Sequence, residues 1–239
     1  MKINALKWGV FEAAMVLMVA MGSARADGTV AMKTPVSHEL RQVLDRLQKH
    51  YRDTNSFSAK FNEEIATVGA PKRNRAGAVS FRKPGRMRWD FIEPEKQTIV
   101  SDGEMLFSYD PDLNQVVQTP LKSALKSSSA TSFLLGMGNI DHDFSAEFAS
   151  PPKPGDLIHL KLNAKAGGYR IEIGLDPKSY DLVTLTLTDQ LGDVTAVRFS
   201  DIRSNVRISE DQFAFKAPAG ADIVTAPSST APDAPDNDD

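Results

Sequence analysis

The sequence contains no cysteine, and this absence is the first constraint on what the protein can be. Without thiols the chain has no disulfide, no thiolate nucleophile and no cysteine-ligated zinc, and it lacks the acylated cysteine of a lipoprotein. The sequence also lacks the G-x-S-x-G, H-E-x-x-H, G-x-G-x-x-G and Walker motifs. Because catalysis needs a recognisable group of residues, we expect no enzyme, no metal site and no cofactor.

An excess of one charge is missing as well. The 239 residues carry a formal net charge of −3, which argues against a nucleic-acid partner. Hydrophobic residues make up 41% of the chain, enough for one globular domain with a substantial core or for two small domains.

The apolar run near the N-terminus is too short to span a bilayer. It covers residues 13–21, follows the basic Lys2 and Lys7, and precedes S-A-R-A at 23–26. This order predicts a signal peptide over residues 1–26 that is cleaved after Ala26. An uncleaved anchor is the alternative. We therefore expect export, which in a bacterium with two membranes leads to the periplasm.

One amphipathic helix is predicted over about 37–52, with Ser37 as its N-cap. Its apolar residues recur at spacings of three and four and must pack against another part of the protein: Val36, Leu40, Val43, Leu44, Leu47 and Tyr51.

Most of the remaining chain alternates apolar and polar residues, which predicts about eleven strands joined by short turns. Such a pattern is typical of a mainly β (α+β) protein whose antiparallel sheet curls, since a long flat sheet would expose its edges. The predicted strands are 57–65, 77–81, 86–92, 97–101, 104–109, 113–118, 158–162, 169–175, 183–187, 194–202 and 212–216.

Two segments break this rhythm. Residues 119–147 form a long insert with an apolar cluster, which argues against plain disorder. The cluster consists of Phe133, Leu134, Leu135 and Met137. Residues 226–239 are rich in proline, alanine and aspartate, and we predict a disordered acidic tail.

A few polar residues are candidates for metal binding or acid–base catalysis, but they do not group into a recognisable site. His142, between two aspartates, is predicted to lie in a polar loop, and His159 is predicted to be exposed on the polar face of its strand. Glu63 and Glu64 are adjacent, so their side chains should point to opposite faces and make a poor acid–base pair.

The strand at 86–92 has an unusually large apolar face. Met87, Trp89 and Phe91 alternate with Arg86, Arg88 and Asp90. The three large side chains either fill a core or line a space for a ligand, and alternation alone leaves both possibilities open.

The same strand carries a family resemblance. The run from Lys83 to Phe91, followed by Pro94, Gln97, V-S-D-G at 100–103 and Y-D-P at 109–111, resembles the periplasmic outer-membrane lipoprotein carriers, the LolA family. The resemblance continues at T-D-Q-L-G (188–192), R-F-S-D-I (198–202) and F-A-F-K-A-P-A-G (213–220).

The resemblance implies an incomplete antiparallel β-barrel over residues 27–225, whose concave face holds acyl chains beneath a lid that contains short helices, at about 119–147. The implied cavity residues are Met87, Trp89, Phe91, Phe107 and Tyr109, and the implied lid residues are Phe133, Leu134, Leu135 and Met137. Lys83 stands where well-studied members carry an arginine that hydrogen-bonds to the lid, so Lys83 is the candidate clamp. A solvated lysine at the end of a strand is the alternative.

The implied partners are acylated lipoproteins, an inner-membrane ATP-driven lipoprotein-releasing transporter, and an outer-membrane lipoprotein receptor or the outer membrane itself. We expect a monomer. Two other functions stay open: a related periplasmic carrier or sensor for another lipid, such as a glycolipid or hopanoid, and a periplasmic hydrolase.

Overall fold

Twelve strands hydrogen-bond into one sheet in the computed structural model, which describes residues 37–126, 142, 144–165 and 170–226. The strands are β1 (Ser56–Ala66), β2 (Arg73–Arg82), β3 (Arg86–Glu93), β4 (Gln97–Asp102), β5 (Met105–Asp110), β6 (Gln115–Pro120), β7 (Phe144–Phe148), β8 (Ile158–Ala164), β9 (Arg170–Leu175), β10 (Leu182–Thr188), β11 (Val194–Ser204) and β12 (Asp222–Thr225). The helices are α1 (His38–Asp53), α2 (Leu121–Lys126) and a 3-10 helix (Glu210–Phe213).

The strand order confirms a curled, open, mainly β fold. It runs β12-β6-β5-β4-β3-β2-β1-β11-β10-β9-β8-β7, so β1 joins the two halves and β12 and β7 are the edges. Neighbouring strands are antiparallel except β12, which pairs with β6 in parallel. β6 and β12 are far apart in the chain, and the segment after β11 carries the backbone from the middle of the sheet to the edge beside β6.

The strand predictions failed at three places in the second half of the molecule, whereas β8 to β11 form close to where they were predicted. β7 and β12 were not predicted, and the strand predicted at 212–216 is wrong because the chain there forms the 3-10 helix and then runs without regular structure. The alternation of Phe213 with Phe215 is genuine, since Phe213 is 1% exposed. The two rings pack against the sheet, but the backbone that carries them is not one of its strands.

Helix α1 forms where it was predicted, one residue later at each end. The Ser37 hydroxyl accepts a hydrogen bond from the Leu40 N–H at 3.2 Å and so caps the first turn. The buried side chains of α1, which are Leu40, Val43, Leu44 and Leu47, pack onto the concave face of the sheet.

Cross-strand register defines which residues share that concave face. Ala59, Val79, Trp89 and Ile99 occupy paired positions on β1 to β4, so their side chains point to the same side. In the other half the face is lined by leucines and isoleucines of β8 to β10, such as Leu160 and Ile173. Within the described ranges, no helix has the length and apolar character needed to cross a membrane.

The C-terminal segment covers part of the convex face. The ring of Phe215 stacks on Phe107, with 5.0 Å between centroids, and lies 6.3 Å from Tyr109. Ala226, predicted as the first residue of the tail, still donates its backbone N–H to the Gln118 carbonyl at 3.0 Å. Residues 1–26, the predicted signal peptide, and residues 227–239 lie outside the described residues.

Candidate functional site

A cavity of about 70 Å³ lies between the C-terminal end of α1 and the concave face. We call it the helix-end cavity. Its apolar wall comes from β1, β2, β3, β10 and β11, and its rim is polar. The wall residues are Phe57, Phe81, Trp89, Leu182 and Phe199, and the rim includes His50, Lys83, Arg86 and Asp181.

Trp89 is the centre of the aromatic wall. Its ring lies 4.8 Å from Phe61, 6.0 Å from Phe81 and 6.2 Å from Phe199, mostly in edge or tilted contacts. Such edge-to-face contacts are the favoured geometry for aromatic rings. Trp89 is only half-buried because one side of it borders the cavity.

The predicted placement of the strand at 86–92 is confirmed in part. Met87, Trp89 and Phe91 all belong to the core on the concave face. Only Trp89 borders the helix-end cavity, whereas Met87 and Phe91 are 7% and 5% exposed and pack inside the core. Lipid binding by these residues stays a prediction.

The predicted inward orientation of Phe107 and Tyr109 is wrong. Leu106 pairs with Ser101, and Ser101 pairs with Met87, so Leu106 is the residue that shares the concave face. Phe107 pairs with Val100 and faces the convex side, where Phe215 covers it. The turn between β4 and β5 determines this register, and a shift of one residue exchanges the two faces.

Lys83 is not a freely solvated lysine. Its ammonium donates to the carbonyl of Tyr51 and, at 3.4 Å, to that of Arg52, at the C-terminal end of α1. A cation there satisfies carbonyls that lack partners within the helix. Partial burial lowers the pKa of Lys83 below its usual value. The predicted lid residues Phe133, Leu134, Leu135 and Met137 lie outside the described residues, so the lid contact stays a prediction.

A second contact at the same rim was not predicted. His50 Nε2 lies 3.1 Å from Asp181 Oδ1, and the Ser204 hydroxyl donates to the same carboxylate at 2.8 Å. Chiefly through the hydrogen bond from His50, the pKa of Asp181 is held at about 2. His50 and Asp181 are far apart in the sequence and neither belongs to a motif, so no local signal could have paired them.

Sequence reasoning also missed a buried polar row on the concave face. Glu63 and Glu64 do point to opposite faces as predicted, but Glu63 shares its face with Phe61 and is 6% exposed. Its carboxylate accepts a hydrogen bond from Arg75 Nε at 2.7 Å. Burial raises the pKa of Glu63 above its usual value, with Arg75 acting in the opposite direction.

The two candidate histidines stay outside this site. His159 was predicted to be exposed but is half-buried, next to Gly174, where an added Cβ would lie 3.2 Å from the imidazole. His142 is exposed, and its two aspartate neighbours lie outside the described residues.

Comparison with known proteins places the chain in a family. Residues 52–216 match the model of the outer membrane lipoprotein carrier protein LolA. The outer-membrane lipoprotein carrier protein of Methylobacillus flagellatus is 31% identical over 84% of this chain and 97% of its own length. That of Chromobacterium violaceum is 34% identical over 77% of this chain and 87% of its own length.

A solved structure supports the fold. An uncharacterised conserved protein of Thermus thermophilus aligns with a TM-score of 0.52 at 16% identity, covering 79% of this chain and all of its own. The family match covers β1 to β11 and includes Trp89, Lys83 and Asp181, the residues around the helix-end cavity. The chain belongs to the outer membrane lipoprotein carrier family, LolA.

Proposed function

We propose that the protein is a periplasmic carrier that binds the acyl chains of lipoproteins and takes them from the inner to the outer membrane. The observation that supports this most directly is the aromatic cavity beneath the end of α1 in a chain of this family. Sites for apolar ligands are concave and mainly apolar, with a few polar groups at the edge.

The cavity volume argues that binding requires movement of α1. A cavity of roughly 150 Å³ holds benzene, so the observed volume of about 70 Å³ is too small for an acyl chain. The end of α1 closes the cavity through a few polar contacts: Lys83 with two carbonyls, His50 with Asp181, and Asn205 Nδ2 with the Asp53 carbonyl at 3.3 Å. We infer that releasing these contacts lets the helix end separate from the sheet and admits the chain.

The energetics of lipid burial favour such a closing element. Burying one methylene contributes roughly 0.8 kcal/mol, so a fully buried sixteen-carbon chain would contribute about 12 kcal/mol. Full burial of several chains would make release too slow for a carrier. A helix end that packs on the empty cavity offsets part of this energy, because lipid must displace apolar contacts that already exist.

The same energies require partners. A lipid does not leave its membrane unaided, so we infer that an inner-membrane ATP-driven lipoprotein-releasing transporter loads the carrier. The receiver would be an outer-membrane lipoprotein receptor or the outer membrane itself. The absence of cysteine is consistent with a carrier that is not itself anchored through an acylated cysteine. The role requires export, for which the predicted signal peptide would serve, and it requires no catalysis.

Depletion of the protein in its own host tests the proposal. We expect lipoproteins destined for the outer membrane to accumulate in the inner-membrane fraction, and to return to the outer membrane when the wild-type chain is re-expressed. Mass spectrometry of the purified protein should detect bound acylated protein. A normal lipoprotein distribution after depletion, or a purified protein loaded with glycolipid or hopanoid instead, would contradict it.

A further inference from the structure

Four polar side chains form a hydrogen-bonded row across the concave face, away from the helix-end cavity. Arg75 Nε donates to Glu63 at 2.7 Å, and Arg75 Nη1 donates to Gln97 Oε1 at 3.2 Å. Gln97 Nε2 then donates to the Ser108 hydroxyl at 3.2 Å. The row therefore connects β1, β2, β4 and β5 through side chains alone, and we call it the polar row.

Arg75 crosses β3 to complete this row. Its guanidinium carbon lies 3.9 Å from the centroid of the Phe91 ring, a cation–π contact that holds the plane of the charge over the aromatic face. The side chain of Arg75 is 8% exposed. Its position is thus determined from two sides, by the carboxylate of Glu63 and by the ring of Phe91.

One nitrogen of this buried guanidinium has no partner. Among the described residues, Arg75 Nη2 is the buried side-chain atom that lacks a hydrogen bond. Leaving a buried donor of a charged group unsatisfied is costly, and native proteins rarely retain such a group without a use. Arg75 and Gln97 also line a small cavity of about 60 Å³, which leaves room beside the row for a small polar group.

The charges around Arg75 select the kind of acceptor. Glu63 already balances the guanidinium, and the small cavity is lined by Glu95, Asp110 and Asp112 against one lysine, Lys96. A second anion such as a phosphate would meet these carboxylates at short range. An uncharged oxygen with a strong dipole meets no such repulsion, and carbonyl oxygens accept hydrogen bonds from arginine readily.

We propose that Arg75 Nη2 binds the carbonyl oxygen of the ester or amide that joins an acyl chain to its head group. This inference depends on the proposed lipid-carrier function. The Phe91 ring beneath Arg75 stacks against Trp89 with 6.4 Å between centroids, and Trp89 borders the helix-end cavity. A chain whose carbonyl is held at the polar row would therefore run along Phe91 and Trp89 toward that cavity.

Two lipids that differ in one carbonyl test the inference: 1-tetradecanoylglycerol, an ester, and 1-tetradecylglycerol, the matching ether. Each is titrated below its aggregation concentration into the mature protein that the predicted cleavage after Ala26 would leave, in which Trp89 is the single tryptophan for fluorescence. A hydrogen bond from a charged donor predicts a Kd about tenfold or more lower for the ester. This comparison needs no variant at Arg75.

Arg75→Lys then identifies the donor. Lysine keeps a positive charge for Glu63 but lacks Nη2, so this variant should bind the ester no more tightly than the ether. Arg198→Lys is the matched control, because Arg198 is exposed and paired with Asn62 on the convex face, and it should keep the full ester preference.

The outcomes separate the two hypotheses. Equal affinity of the wild-type protein for ester and ether would overturn the role of Arg75 and leave the carrier function standing. An ester preference that survives Arg75→Lys would also overturn it, since another group would then bind the carbonyl. Binding of neither lipid would overturn both the inference and the carrier function on which it depends.

Discussion

The two ends of the concave face differ in the polarity of the side chains that form them. At one end, aromatic rings of β1, β2, β3 and β11 surround the helix-end cavity, and polar contacts lie only at its rim. At the other end, the polar row crosses the same face and leaves one buried nitrogen unpaired among the described residues. One sheet, with β1 and β2 contributing to both ends, thus provides an end that can accept apolar volume and an end that can orient a polar group.

The side chains at the two ends should also differ in how much they contribute to folding stability. Side chains around a cavity have lost packing partners on one side, so they contribute less to stability than their size suggests. A buried ion pair contributes little net stability but has a strict geometry, since removing either partner leaves a buried charge. We therefore expect changes at the polar row to affect folding most, and changes at the cavity wall to affect ligand binding most.

The largest effect is expected from breaking the ion pair on one side. Glu63→Leu leaves the Arg75 guanidinium buried without its carboxylate, which should lower the free energy of unfolding by about 3–5 kcal/mol in urea titrations. The double variant Glu63→Leu with Arg75→Met replaces both charges by apolar groups and should recover most of that loss. A double variant as unstable as the single one would show that the polar row stabilises the fold by more than the balance of its two charges.

A matched aromatic pair tests the cavity end. Phe61 is 1% exposed and packs on all sides, so Phe61→Ala should cost about 3–5 kcal/mol of unfolding free energy. Trp89→Ala removes a larger side chain that already borders empty space, and we expect a distinctly smaller cost, about 2 kcal/mol.

Lipid binding by the folded variants provides the second half of that test. Trp89→Ala should weaken binding of the tetradecyl lipids clearly, because it removes part of the apolar wall. If Phe61→Ala and Trp89→Ala lower the free energy of unfolding equally, and Trp89→Ala has no separate effect on lipid binding, then Trp89 is an ordinary core residue. The carrier function would then depend on the family match alone.

Lys83 controls access to the same cavity. Lys83→Met removes the cation from the last carbonyls of α1 and should cost about 1 kcal/mol of unfolding free energy. It should also raise the rate of lipid uptake in stopped-flow measurements, because the end of α1 is held less firmly. Lys83→Arg should restore slow uptake, and Lys161→Met, at an exposed lysine of β8, should leave both quantities unchanged.

Local patterns predicted the parts of the molecule that depend on local physics. The spacing in α1, its Ser37 cap and the face of Trp89 all follow from helix or strand periodicity and are confirmed. Phe107 was assigned to the wrong face because one residue of register, determined by a turn, exchanges the two faces.

The polar contacts, by contrast, could not be predicted from local patterns. Glu63 meets Arg75 only after β1 and β2 pair, and His50 meets Asp181 only after α1 packs beside the start of β10. Composition gives no sign of which charge pairs with which. One signal was available for the polar row: Glu63 interrupts an alternation whose other members are apolar, such as Phe61 and Ile65. A charge at a core-facing position indicates a partner on a neighbouring strand.

The effect that separates the two ends by pH concerns Asp181. Its pKa in the folded protein is about 2, below the ordinary 3.8, so its contribution to stability is complete above about pH 4 and is lost as pH falls toward 2. Asp181→Asn should therefore lower the free energy of unfolding by about 1 kcal/mol at pH 6, after allowance for partial exposure, and by almost nothing at pH 2. Asp201→Asn, at an exposed position of β11, is the control and should show a much weaker dependence on pH.

At the polar end the sign of the pH dependence is reversed. Burial raises the pKa of Glu63 above 4.5, so its contribution to stability is present at low pH and is lost as pH rises through the raised value. Acid should thus loosen the end of α1 before it disturbs the polar row, and hydrogen exchange at pH 3 should show faster exchange at the C-terminal turn of α1 than in β1 and β2. Equal acceleration in both places would contradict the separation of the two ends.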